Sequence, residues 1–214
     1  MIELYDATLR DGMQGEGMSL TAEEKVRVAH ALDDLGVGYI EAGFPASNPK
    51  ELELFALLEQ ETFTTATIVA FGMTRRRDIA AAEDEGLRTL AACFAPVVTI
   101  VGKTWGLHLE KVVRVTREEN LAMIAESVAF LVAAGKRVIY DAEHVFDGFR
   151  DDPAYTLDCL RAAAAAGAER VVLCDTNGSS LPPQIAAAVA AVRGALEVPL
   201  GIHCHNDLEC GVAN

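Results

Sequence analysis

Along the chain two rhythms alternate: a short β-branched apolar run, then a longer amphipathic stretch rich in Ala, Leu and Glu, with polar loops between. Ile2–Ala7 reads as a strand. Leu20-Thr21-Ala22-Glu23-Glu24 opens a helix, with Ser19 or Thr21 as cap and acids in the first turn, and Gly36 stops it after Leu35. Tyr39–Ala42 is the second strand, 49–59 a helix and Thr67–Phe71 the third strand. The pattern then predicts a helix over 78–85, broken by Gly86, a fourth strand over Thr89–Phe94, and a loop of about twenty residues, a length that is often functional. A helix over 118–134 ends at Gly135, and Arg137–Ala142 is the fifth strand. Pro153 lies near the start of a helix that ends at Gly167. Arg170–Cys174 is the sixth strand, Pro182-Pro183 opens the sixth helix, and Leu200–His205 is the seventh strand.

Strands alternating with helices imply parallel βα units. An open doubly wound sheet shows the same alternation but gathers its ligands at one switch point. Here polar residues fall at the C-terminal ends of many strands: Asp6 to Asp11, Glu41 to Pro45, Asp141 to His144, Asp175 to Asn177 and His203 to Asp207. That is the habit of an α/β TIM (β/α)8 barrel. The expectation is a single catalytic barrel domain over residues 1–214. Eight units take roughly 250 residues, so the seventh helix and the last βα unit are expected to lie outside this chain.

Eighteen basic against 32 acidic residues give a net charge of -14. This argues against a nucleic-acid or anionic-membrane surface, which needs basic patches. No apolar run is long enough to span a bilayer. The first residues carry no leader, so the protein is expected to be cytoplasmic, with its five scattered cysteines reduced. Cys93 and Cys174 sit in apolar, strand-like runs and are expected to pack in the core.

The sharpest chemical signal is His203-Cys204-His205: residues two apart on a strand share a face, and two imidazoles beside Asn206 and Asp207 suit a divalent metal. The plainer alternative is two histidines that only hydrogen-bond. At the end of the first strand, Arg10 and Asp11 precede Gly12. Asp11 is a hard ligand that would complete a His/His/Asp set, and the Arg10 guanidinium can grip a carboxylate or oxyanion. A loop salt bridge is the alternative. Glu143 is a candidate for acid–base work and His144 for a base, against a role in ordering loops. Thr176, in Asp175-Thr176-Asn177-Gly178, offers a hydroxyl to a substrate carboxylate, against an ordinary helix-entry turn.

Together, Asp6-Ala7-Thr8-Leu9-Arg10-Asp11-Gly12-Met13-Gln14, Glu41-Ala42-Gly43-Phe44-Pro45, Asp175-Thr176-Asn177-Gly178 and Gly201-Ile202-His203-Cys204-His205-Asn206-Asp207 resemble the DRE-TIM metallolyase superfamily. They are most similar to its 2-isopropylmalate, homocitrate and citramalate synthase branch. Gly15-Glu16-Gly17, Gly102-Lys103-Thr104-Trp105 and the run Ile139–Phe149 look most like the citramalate synthase subgroup. The resemblance implies a divalent metal (Mg, Mn or Zn) on Asp11, His203 and His205. It implies Arg10 as catalytic and substrate-binding arginine, Glu143 in acid–base chemistry and Thr176 on the 2-oxo acid. It further implies a homodimer that condenses acetyl-CoA with a 2-oxo acid, pyruvate in that subgroup, in isoleucine biosynthesis. A lyase cleaving a hydroxy-acyl-CoA or hydroxy-oxo acid, and a non-catalytic metal-binding barrel, are the competing readings.

Overall fold

The structure is a computed structural model describing residues 2–214. Its centre is one parallel sheet in which each strand pairs with the next in sequence: β1 (Tyr5–Asp6), β2 (Tyr39–Gly43), β3 (Thr67–Met73), β4 (Val97–Lys103), β5 (Arg137–Glu143), β6 (Arg170–Asp175) and β7 (Leu200–Cys204). The helices between them are α1 (Ala22–Leu35), α2 (Pro49–Leu58), α3 (Glu85–Ala92), α4 (Arg117–Ala133), α5 (Val145–Asp151), α6 (Pro153–Ala165) and α7 (Pro182–Ala195). Seven consecutive parallel βα steps curling about one lumen are the TIM-barrel architecture through its seventh strand. No helix among the described residues is long and apolar enough to cross a membrane.

Local chemistry explains most boundaries. Thr21 caps α1 by accepting from the Glu24 N–H, while the Glu24 carboxylate accepts from the Thr21 N–H. Such a box is worth about 1 kcal/mol. Gly36, at φ 87°, ends the helix as expected. Asn48 and Asp152 cap helices that begin on Pro49 and Pro153. Asp33 fastens α1 to the chain entering β3: its carboxylate accepts from the backbone N–H groups of Thr64, Thr65 and Ala66 and from the Thr64 hydroxyl, at 2.6–3.0 Å. Those donors hold the Asp33 carboxyl well below the usual carboxylate range.

One stretch corrects the sequence reading. Thr89–Ala92, expected in the fourth strand, is the end of α3, and Cys93 follows it as the cap. Asp84 accepts from the Leu87 N–H and starts that helix, and Leu87 and Leu90, three apart, are both buried. The fourth strand is Val97–Lys103, inside the stretch expected to be loop. A helical segment over 106–113, ending in a π-helical turn, occupies the remainder. Cys93 is half-buried beside the core, whereas Cys174 is buried, and all five cysteines are free thiols. The first strand is shorter than expected, its ladder confined to Tyr5 and Asp6.

Strand parity sorts the core in two. Residues such as Ile40, Ala42, Val98, Ile100, Val138, Tyr140 and Leu173 face the helices in one large cluster. Tyr39, Val69, Val97 and Ile139 form a second cluster on the lumen side, flanked by Tyr5 and Val172. Climbing β5 on that side, Ile139 gives way to Asp141 and then Glu143, so the lumen turns from apolar to ionised towards the strands' C-terminal ends. At the rim, Gly43 makes room for a carboxylate. A Cβ there would lie 1.8 Å from Glu51 Oε2. Glu51 Oε2 accepts from the Phe44 N–H (3.0 Å), and Oε1 accepts from Lys25 Nζ (2.6 Å), which knits α1 and α2 to the end of β2.

Candidate metal centre and reactive face

Beyond β1 the chain turns sharply, with the Arg10 and Gly12 N–H groups both donating to the Ala7 carbonyl. Leu9, fully buried, anchors the turn and leaves Arg10 and Asp11 over the lumen. From the other edge of the sheet, β7 brings His203 opposite Cys174, and the His205 N–H donates to the Asp175 carbonyl. The two edges meet: Asp11 Oδ2 lies 3.6 Å from His203 Nε2 and 3.4 Å from His205 Nε2. One donor atom from each residue falls within 4.8 Å of the other two. Two borderline nitrogens and a hard oxygen fit a divalent ion of the Mg, Mn or Zn type. Burial lowers the His203 pKa, against the pull of Asp11, and so favours the neutral ring that ligation requires.

Arg10 is positioned by acids. Its Nε donates to Glu41 Oε1 at 2.5 Å, its Nη1 to Asp11 Oδ1 at 2.8 Å, and its Cζ sits 4.0 Å from the centroid of the Phe71 ring. Nη2 has no hydrogen-bond partner among the described residues. Burial opposes the charge on Arg10, but Glu41 more than restores it and the pKa is raised. Glu41 is fully buried, and its other oxygen accepts from the Tyr5 hydroxyl at 2.5 Å. Burial pushes the Glu41 carboxyl up, while Arg10 and Tyr5 hold it down. Asp141, buried nearby, is pushed far up by burial and by the Glu41 charge.

A second cluster lies at the ends of β4 and β5. Register places Lys103 directly beside Glu143, and the Lys103 ammonium donates to Glu143 Oε2. His108 Nδ1 is 4.0 Å from that oxygen and, though buried, has no hydrogen-bond partner among the described residues. The His108 and His144 rings meet edge-on at 4.3 Å, with Trp105 against both. Burial, then His144 and Lys103, lower the His108 pKa. His144 adopts a left-handed backbone (φ 54°), which costs a non-glycine residue of order 1 kcal/mol. It is held by its N–H to Thr176 Oγ1 (3.0 Å) and by its ring near Asp147 (3.4 Å).

The structure thus brings Asp11, His203 and His205 into one set and places Arg10 against it. Glu143 belongs to the second cluster, and the Thr176 oxygen is already engaged with the backbone of that cluster. Sequence reading assigned no role to Glu41, Tyr5, Asp141, Lys103 or His108. Glu41 carried a signal, an acid in the middle of the apolar run Tyr39–Gly43. Lys103 and His108 became legible only with the register of β4.

Residues 1–214 match the family model described as HMGL-like. An (R)-citramalate synthase of Geobacter sulfurreducens is 46% identical over 214 residues, all of this chain and 40% of that protein. Another, of Streptomyces coelicolor, is 49% identical over 212 residues, 99% of this chain and 40% of that protein. This chain therefore spans about 40% of the length of these curated relatives. The crystal structure of the HMG-CoA lyase of Bacillus subtilis superposes with a TM-score of 0.81 at 17% identity, over 100% of this chain and 71% of that one, a likeness of fold.

Proposed function

Because this chain belongs to the HMGL-like family, we propose that the protein carrying it condenses acetyl-CoA with a 2-oxo acid, pyruvate foremost, to give citramalate and free CoA. The reading extends to a cytoplasmic homodimer serving isoleucine biosynthesis. The observation that carries it is the meeting of Asp11, His203 and His205 from the two edges of the sheet, with Arg10 beside them. Alongside it stands the likeness of the whole chain to (R)-citramalate synthases.

Asp11, His203 and His205 would hold the divalent ion, which when bound supplies Lewis-acid polarisation of the keto group. Arg10, aimed by Glu41 and Asp11, keeps Nη2 for the substrate. Its fixed positive charge stabilises the negative charge that develops on the keto oxygen as the new bond forms. Thr176 Oγ1 accepts from the His144 N–H and so retains its own proton to donate to the 2-oxo acid's carboxylate. Glu143 is the proton carrier: a methyl proton leaves the acetyl group, and the resulting carbon nucleophile attacks the keto carbon. The carbonyl π pair moves to oxygen and takes up a proton. Water then displaces CoA from the thioester.

The test is thiol release from acetyl-CoA by the full-length protein with pyruvate, 2-oxoisovalerate or 2-oxoglutarate and each divalent ion. Pyruvate is expected to give the largest kcat/KM, and no thiol release with any of the three acids sinks the reading. His203→Ala is expected to lose bound metal; unchanged metal content by elemental analysis removes His203 from the ligand set.

A further inference from the structure

A cavity of about 770 Å³ opens at the ends of β2, β3 and β4, beside the reactive face. Its walls are largely apolar, with Phe44, Leu52, Met73, Ile79, Val101 and Val113 among them. Leu52 and Met73 are 51% and 45% exposed, and contiguous exposed apolar surface of this kind marks an interaction site. The volume is that of a ligand cleft, commonly about 300–1,000 Å³.

The two ends of the cavity differ in chemistry. At the inner end Phe44 meets Phe71 edge-on at 5.9 Å, and Phe71 lies under the Arg10 guanidinium. Lys103 lines the same cavity and bonds Glu143. The other end carries three consecutive arginines, in a chain where acids outnumber bases 32 to 18. Arg75 is buried and engaged with Glu119 (2.7 Å) and Glu126 (2.6 Å). Arg76 and Arg77 are held far more loosely, with side chains 64% and 56% exposed. Arg76 gives only Nε to Asp84 (3.2 Å), and Arg77 gives Nη1 to the Arg114 carbonyl (3.2 Å), with Asp78 at 4.0 Å. Both keep guanidinium N–H groups free for a ligand, and a planar fork of donors matches phosphate.

An apolar channel with reactive residues at one end and two free cations at the other fits a long ligand with an apolar arm and a polyanionic head. We propose that this cavity seats the carrier arm of the thioester, with Arg76 and Arg77 gripping the phosphates of its nucleotide. The inference rests on the function proposed above. The other large cavity, beside β6, β7 and α7, has one arginine, Arg193, and none of the reactive residues.

The test is calorimetric binding of CoA, and separately of pantetheine, which has the same arm without phosphates, to the full-length protein. The double variant Arg76→Ala/Arg77→Ala is expected to bind CoA roughly 10- to 100-fold more weakly, the loss of one or two charge-assisted hydrogen bonds. Pantetheine affinity is expected to stay the same. Arg161→Ala, on α6 and paired with Asp158, removes a comparable exposed charge and is expected to bind CoA as the parent does. The parent's CoA affinity is expected to fall with added salt, and the double variant's to fall less. Equal CoA binding by parent and double variant overturns the phosphate assignment alone. Absence of CoA binding by the parent overturns it together with the proposed function.

Discussion

Glu41 and Glu143 face the same lumen, each paired with a cation from a neighbouring element, yet their surroundings separate them. Glu41 is sealed, its side chain fully buried between Arg10 and Tyr5. Glu143 keeps 23% of its side chain exposed, paired with a flexible lysine and flanked by two imidazoles. A sealed acid fixes a charge in place, whereas an open one beside other titratable groups can pass protons. On this view Glu41 aims the arginine and Glu143 does the proton work.

The comparison can be broken at either glutamate. Glu143→Gln keeps the shape and removes the proton carrier; steady-state kinetics are expected to show a rate loss of roughly 100- to 10,000-fold. Its urea midpoint is expected to shift little, since a partly exposed pair contributes about 0–1 kcal/mol. Arg10→Lys puts a point charge where two acids need a fork, and kcat is expected to drop roughly 100- to 1,000-fold. Near-parental turnover in that variant would mean that the Glu41–Arg10–Asp11 chain does not serve the reaction. Glu41→Gln leaves a buried guanidinium with half its compensation. Denaturant unfolding is expected to show a loss of about 3 kcal/mol, and a stability change no larger than that of Glu143→Gln would erase the distinction drawn here.

The smallest effect belongs to Asp33, far from the reaction, and it sharpens the contrast between charges that support the fold and charges that act. Its folded pKa is depressed below the unfolded value of about 3.9. The stabilisation is therefore complete above that pH and fades as the pH falls through the folded pKa. Asp33→Asn is expected to melt at a lower temperature than the parent at pH 7, with the gap narrowing in acid. A gap that does not change with pH would show that shape, not charge, matters there.

Much of this was legible in the sequence, and the exceptions have physical causes. The Thr21 cap, the Gly36 stop and the prolines at the starts of α2, α6 and α7 announced their helices because those residues act locally. Thr89–Phe94 misled because a short apolar run suits a helix end as well as a strand. The cap that decides the matter is Asp84, several residues upstream, and the β-branched run Val97–Val101 was the truer strand signal. His203, His205 and Asp11 stood out by residue type. The Lys103–Glu143 pair did not, because strand register is set by the whole sheet and not by the neighbourhood of either residue.

Gly43 and Glu51 carry a consequence for how such a chain can drift. The Glu51 carboxylate occupies the space that any side chain at 43 would claim, and it also holds Lys25 and the Phe44 N–H. A lone change at 43 would meet that carboxylate, and a lone change at 51 would leave a buried ammonium without its partner. The two positions form an epistatic pair, and the mutational path away from either one runs through a simultaneous change at the other.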